Sequence, residues 1–192
     1  FTYKKIPYKK NIKLFGYFQS EQYFMKYKKE VIKFFKEFMK NLSIQRKLNK
    51  VMSEINHNNT ISIHVRRQDY VHLQHVHVLQ DNNYYKKAID ILTKKIGKDY
   101  KLVIFSDDIT WCKNNNIFTN HNCYFVEGNE DYIDLYLMSM CTHHIIANSS
   151  FSWWGAYLNE IEEKLVVAPA KWFGPNGPKK WNTVYCSDWL IV

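Results

Sequence analysis

The chain has 192 residues, enough for one substantial core or for one domain with part of another. With 46% hydrophobic and 23% charged residues it is globular, which excludes a disordered chain, and no apolar run is long enough to span a membrane. Lys and Arg outnumber Asp and Glu by 27 to 18, and the resulting charge of +9 favours anionic partners: nucleic acid, an anionic membrane or a phosphorylated small molecule.

In chain order, residues 11–15 read as extended, leading into Gly16-Tyr17-Phe18. From Glu21 the periodicity turns helical, with Phe24, Tyr27, Val31, Phe34 and Phe38 spaced by three and four as one apolar stripe. Ser43 is placed as the N-cap of a second helix running through Ile55, and His57-Asn58-Asn59 forms a turn. Beyond it, short β-branched or apolar runs alternate with helical patterns. Strands are predicted at 60–65, 102–105, 123–126, 144–147 and 165–168, the last stopped by Pro169. Helices are predicted at 84–96, after Ser106-Asp107-Asp108, at 132–141 and at 151–160. This alternation predicts an α/β fold: a parallel sheet covered on both faces, preceded by a helical segment.

In such sheets ligands bind beyond the carboxyl ends of the strands, which directs attention to three polar stretches. The first is His64-Val65-Arg66-Arg67-Gln68-Asp69. Two adjacent guanidiniums at a strand end need partners for their donors, and a diphosphate supplies them with bidentate geometry. The alternative is an ion pair with Asp69 or another acid, although alternation along a strand argues against both arginines pairing in the same direction. The second stretch, Asn148-Ser149-Ser150-Phe151-Ser152, sits where a strand ends and a helix begins; free amides there suit an anion, or a serine simply caps the helix. Trp153 and Trp154 read as packing residues. In the third, Asp107 or Asp108 either accepts from a ribose hydroxyl or base, or caps a helix. Asp134, on a mostly apolar helix, either reads a base edge or faces water.

His72, His75 and His77 have neither helical i,i+4 nor zinc-finger spacing, and no Cys cluster accompanies them, so no metal site is expected. Cys112, Cys123, Cys141 and Cys186 lack any C-x-x-C pair and point to a reducing compartment.

Taken together, the ordered segments resemble the glycosyltransferase family 11 fucosyltransferases. They are Gly16 through Phe24, His64 through Tyr70, Phe105 through Asp108 with Trp111-Cys112, Asp134 through Ser139, Ala147 through Leu158, and an ending of Ala168-Pro169, Lys171-Trp172-Phe173 and Asp188 through Ile191. The resemblance implies an α-1,2-fucosyltransferase that moves L-fucose from GDP-fucose to the 2-hydroxyl of a galactose-containing glycan, inverting at C1, with no cofactor and no metal. It implies a Rossmann-like sheet of the GT-B C-terminal type at 57–192 that binds GDP-fucose. Residues 1–56 would then be the end of an N-terminal domain and a helical connector, the Gly-rich opening of that domain being absent from this sequence. Donor contacts would fall to His64, Arg66, Arg67, Asp107, Asp108, Asp134, Asn148, Ser149, Ser150, Phe151 and Ser152, with Asp69 the candidate base. Where the family has glycine after the second arginine this chain has Gln68, which costs on the order of 1–2 kcal/mol if the position is left-handed. The expected setting is cytoplasmic, with room for peripheral membrane association. The +9 charge and abundant aromatics keep a nucleic-acid-binding module as the competing reading; the resemblance implies no nucleic acid partner.

Overall fold

The structure, a computed structural model, describes residues 2–192, apart from the side chain of Leu42; Phe1 lies outside the described residues. Six parallel strands form one sheet: β1 (Thr60–Val65), β2 (Lys101–Ser106), β3 (Cys123–Phe125), β4 (His143–Ile145), β5 (Val166–Ala168) and β6 (Leu190–Ile191). Their order is β3-β2-β1-β4-β5-β6, the doubly wound arrangement in which succession reverses between β1 and β4. β1 lies between β2 and β4 and is buried along its whole length. Ile61, Ile63 and Val65 on one face alternate with Thr60, Ser62 and His64 on the other, and both sets are buried, so the polar row meets a covering layer and not solvent.

Ile61, Ile63, Leu102 and Ile104 face one layer, where α4 (Asn82–Ile96), α5 (Ile109–Lys113) and α6 (Asn116–Thr119) close the core with Tyr85, Ala88, Leu92 and Phe118. Val103 and Phe105 face the opposite layer, built from α2 (Leu42–Ile55) and α7 (Asp131–Met140) through Leu48, Val51, Ile55 and Leu137. α2, which precedes the first strand, is thus packed directly on the sheet. α8 (Ser150–Tyr157) joins the C-terminal tail in a third cluster around Trp153, Trp172 and Trp189. On the sheet, His144 is bracketed by Ser62 Oγ at 2.7 Å and Asn159 Nδ2 at 2.8 Å. An amide nitrogen only donates, so Nε2 accepts, and Nδ1 carries the proton toward Ser62.

The apolar stripe expected from Glu21 onward is not the buried one. Residues Glu21–Tyr23 and Met25–Tyr27 form 3₁₀ turns, and α1 spans Lys28–Phe38. Ile32 and Met39 are buried, whereas Phe34 is 80% exposed and Phe38 and Tyr27 lie largely in solvent. Phe35, one residue from the predicted face, meets Tyr136 of α7 at 5.8 Å, so the tertiary partner selected the face. Asn41, rather than Ser43, caps α2: its side chain accepts from Ser43 N at 2.9 Å and from Ser43 Oγ at 2.6 Å. No described helix is long and apolar enough to cross a membrane.

Candidate functional site

All six strands being parallel, their carboxyl ends share one edge, and the crevice of a doubly wound sheet opens there between β1 and β4. β1 ends at Val65, and the chain turns at Arg67 (φ −133°, ψ −65°) into α3 (Gln68–His72). Ser106 stitches this turn to the end of β2: its Oγ donates to Val65 O at 2.8 Å and accepts from Asp108 N at 2.9 Å. Arg67 N donates to Asp107 Oδ1 at 2.8 Å.

Both arginines pair with carboxylates. Arg66 reaches Asp69 at 2.8 Å and Asp107 at 3.1 Å, and Arg67 donates through Nε to Asp108 at 3.1 Å. Alternation argued against such double pairing, but the two residues lie beyond the last strand position, where the period of two no longer governs side-chain direction. Each guanidinium also rests on a ring: Arg67 lies 4.0 Å from Trp111 and Arg66 5.5 Å from Tyr70. Neither aromatic was assigned to the site from sequence. The available signal was spacing, Tyr70 four residues after Arg66 and Trp111 three after Asp108, in segments already singled out. Two guanidiniums among three carboxylates leave no excess of positive charge, so the cluster is not built for a bare polyanion. Arg67 uses only Nε toward a carboxylate, and its terminal nitrogens have no carboxylate partner among the described residues.

Gln68 takes the first position of α3 without a left-handed backbone, so the cost considered for replacing glycine does not arise; its Nε2 donates to Asp107 O at 2.6 Å.

His64 is buried against Phe151, ring centroids 5.4 Å apart. Burial, reinforced by the Arg66 charge, pushes its pKa down to about 3, so the imidazole is neutral; its buried Nδ1 has no hydrogen-bond partner. The Phe151 contact brings the start of α8 beside the β1 end. There Ser149 caps the helix, accepting from Phe151 N at 3.3 Å, while Ser150 is exposed.

Two sequence candidates are engaged internally. Asn148 is buried with its amide saturated: Nδ2 donates to Val78 O (3.0 Å) and Trp172 O (2.8 Å), and Oδ1 accepts from Gln80 at 3.0 Å. It is a clamp joining β4, the loop before α4 and the tail. Ser152 is buried and turns its hydroxyl back to Ala147 O and Ser149 O. Asp134 stands apart, one turn into α7, accepting from Asn129 at 3.0 Å, with its pKa raised chiefly by burial. Trp153 and Trp154 pack with Tyr157 and Phe24, as read from sequence.

The model of glycosyl transferase family 11 matches residues 1–192. An O-antigen biosynthesis glycosyltransferase, WbnK, of Escherichia coli is 36% identical over 92% of this chain and 60% of its own length. An alpha-1,2-colitosyltransferase of Escherichia coli is 37% identical over 86% of this chain and 57% of its own. This chain therefore spans roughly three fifths of the curated bacterial relatives it matches. Among solved structures, POFUT1 in complex with GDP superimposes with a TM-score of 0.51 at 15% identity, over 67% of this chain and 46% of that one, a likeness of fold.

Proposed function

Because the chain belongs to glycosyl transferase family 11, we propose that it forms the donor-binding part of an α-1,2-fucosyltransferase, taking GDP-fucose and transferring L-fucose to the 2-hydroxyl of a galactoside. The observation that carries this reading is the Arg66–Arg67 pair locked against Asp107 and Asp108 at the carboxyl ends of β1 and β2, beside the crevice that opens between β1 and β4. A sugar nucleotide offers both phosphate oxygens and ribose hydroxyls. The free terminal nitrogens of Arg67 suit the first, and the carboxylates suit the second. Nucleic acid fits less well, because three carboxylates sit among the arginines.

As the sugar–phosphate bond loosens, negative charge grows on the departing GDP. Guanidiniums already fixed by carboxylates and rings stabilise it without having to reorganise. The acceptor hydroxyl attacks from the opposite face, inverting the anomeric centre, and no metal is called upon. Asp69 is the most exposed carboxylate of the cluster, at 47%, and we assign it the proton, with the orientation of Arg66 as its second task. The 37% identity to an alpha-1,2-colitosyltransferase favours colitose as a second sugar to be tried beside fucose.

The test is thermal unfolding with nucleotides. GDP at a hundredfold excess over its Kd should stabilise the chain by about 2.7 kcal/mol, ADP at the same concentration by less, and Arg67→Ala should abolish the GDP effect. A transfer assay to a galactoside then separates turnover from binding. Absence of any GDP-dependent shift would refute the donor assignment.

A further inference from the structure

Beside the arginine cluster, the same sheet edge carries a groove of about 510 Å³ lined by Gln74, Val78, Lys171, Phe173, Lys179 and Trp181. Its walls are two loops, one following α3 and one following β5, locked to each other through backbone. Gly174 N donates to Val76 O at 2.8 Å, Asn176 N donates to His75 O at 2.6 Å, and His77 forms a β-bridge with Phe173. The approach is close enough to require glycine: a Cβ on Gly174 would lie 2.4 Å from Gln74 O, and one on Gly177 2.6 Å from Val76 O. These walls are preorganised by contacts that side-chain motion does not relax.

The groove is linked to the arginines by a column of stacked groups. The Arg66 guanidinium lies 5.5 Å from the Tyr70 ring, Tyr70 stacks on His77 at 4.6 Å and 10°, and His77 lies 5.8 Å from Phe173. Phe173 in turn meets Trp181 edge-on at 6.1 Å. The groove is lined by an amphipathic indole, the Gln74 amide, Lys171, and Lys179, whose ammonium also donates to Pro175 O. The Gln74 NH₂ donates to Val71 O, leaving its carbonyl oxygen as an acceptor. A sugar ring has the matching chemistry, with an apolar C–H face for the indole and hydroxyls for the amide and ammonium groups.

We infer that this groove is a saccharide subsite, holding the acceptor sugar units that adjoin the one that reacts. That the sugar belongs to an acceptor rests on the transferase reading above; that a sugar binds rests on the groove alone.

The probes are lactose and the galactose-terminated tetrasaccharide lacto-N-neotetraose, titrated without nucleotide against the 192-residue chain by calorimetry and ligand-observed NMR. The tetrasaccharide should bind, and Trp181→Ala and Gln74→Ala should each weaken it at least fivefold while leaving the GDP thermal shift unchanged. Gln74 is exposed, so its variant keeps the test decisive if Trp181→Ala unfolds. Binding of neither saccharide, or equal binding by wild type and Gln74→Ala, overturns the subsite. Saccharide binding that depends on Trp181 and Gln74 in a protein indifferent to GDP would sustain the groove and remove the donor reading instead.

Discussion

Arg67 and Trp111 hold each other through Asp108. The guanidinium lies 4.0 Å from the indole, its Nε–H donates to one Asp108 oxygen, and the other oxygen accepts from the backbone N–H of Trp111 itself at 3.2 Å. The carboxylate thereby caps α5 and fixes the arginine in one geometry. Stacking and a forked donor are both properties of a guanidinium, and a lysine ammonium has neither.

Arg67→Lys should therefore behave nearly as Arg67→Ala, losing most of the GDP-dependent rise in Tm despite its retained charge. Trp111→Leu should keep the fold and weaken GDP roughly fivefold to tenfold, the worth of a partly desolvated cation–π contact of about 1–1.5 kcal/mol. Titration calorimetry with GDP reads both; full affinity in Arg67→Lys would show that charge alone suffices.

Asn148→Ala should cost several kcal/mol in urea unfolding. It strands the carbonyls of Val78 and Trp172, each worth about 1–3 kcal/mol when left unpaired, while the Gln80 amide keeps Lys171 O as its acceptor. The loss should appear in stability, with GDP affinity in the surviving folded protein changed far less than by Arg67→Ala. An equal loss of both would return Asn148 to the ligand.

Gly155→Ala tests the contact between α7 and α8. A Cβ there would lie 2.3 Å from Met138 Sδ and 2.7 Å from its Cγ, so the methionine must move or the helices part. Overpacking of this kind costs about 1–3 kcal/mol, and adding Met138→Ala should recover part of it. The comparison of single and double variants in thermal unfolding decides the point.

Acid should weaken the fold as the pH falls below the ordinary histidine range. Burial pushes His64 and His144 down to about 3 from an ordinary value of 6.5, so between those limits the unfolded chain binds protons that the folded one refuses. Stability then falls as pH drops through 6.5, by about 1.4 kcal/mol per pH unit for each histidine until the folded values are reached. Urea midpoints from pH 7 to 5 should show this slope, and His144→Gln should make it shallower. A flat profile would contradict it.

The alternation of apolar runs and helical stretches was enough to place the first five strands, because the strands of a covered sheet draw on β-branched and apolar residues regardless of their neighbours. The arginine motif and the acids after β2 were legible for the same reason: they are the polar residues that interrupt those runs at strand ends. Three-dimensional contacts decided what periodicity does not encode. β6 is two residues long and exists only by pairing with β5, and α1 buries the face that Tyr136 and its neighbours offer. The pairing of both arginines, the internal role of Asn148 and the glycine-locked loops beside Phe173 likewise join residues far apart in the chain. Local spacing reports which side chains share a helix or strand face. Which acid a guanidinium meets, and which loop an amide clamps, follow from how the faces are stacked.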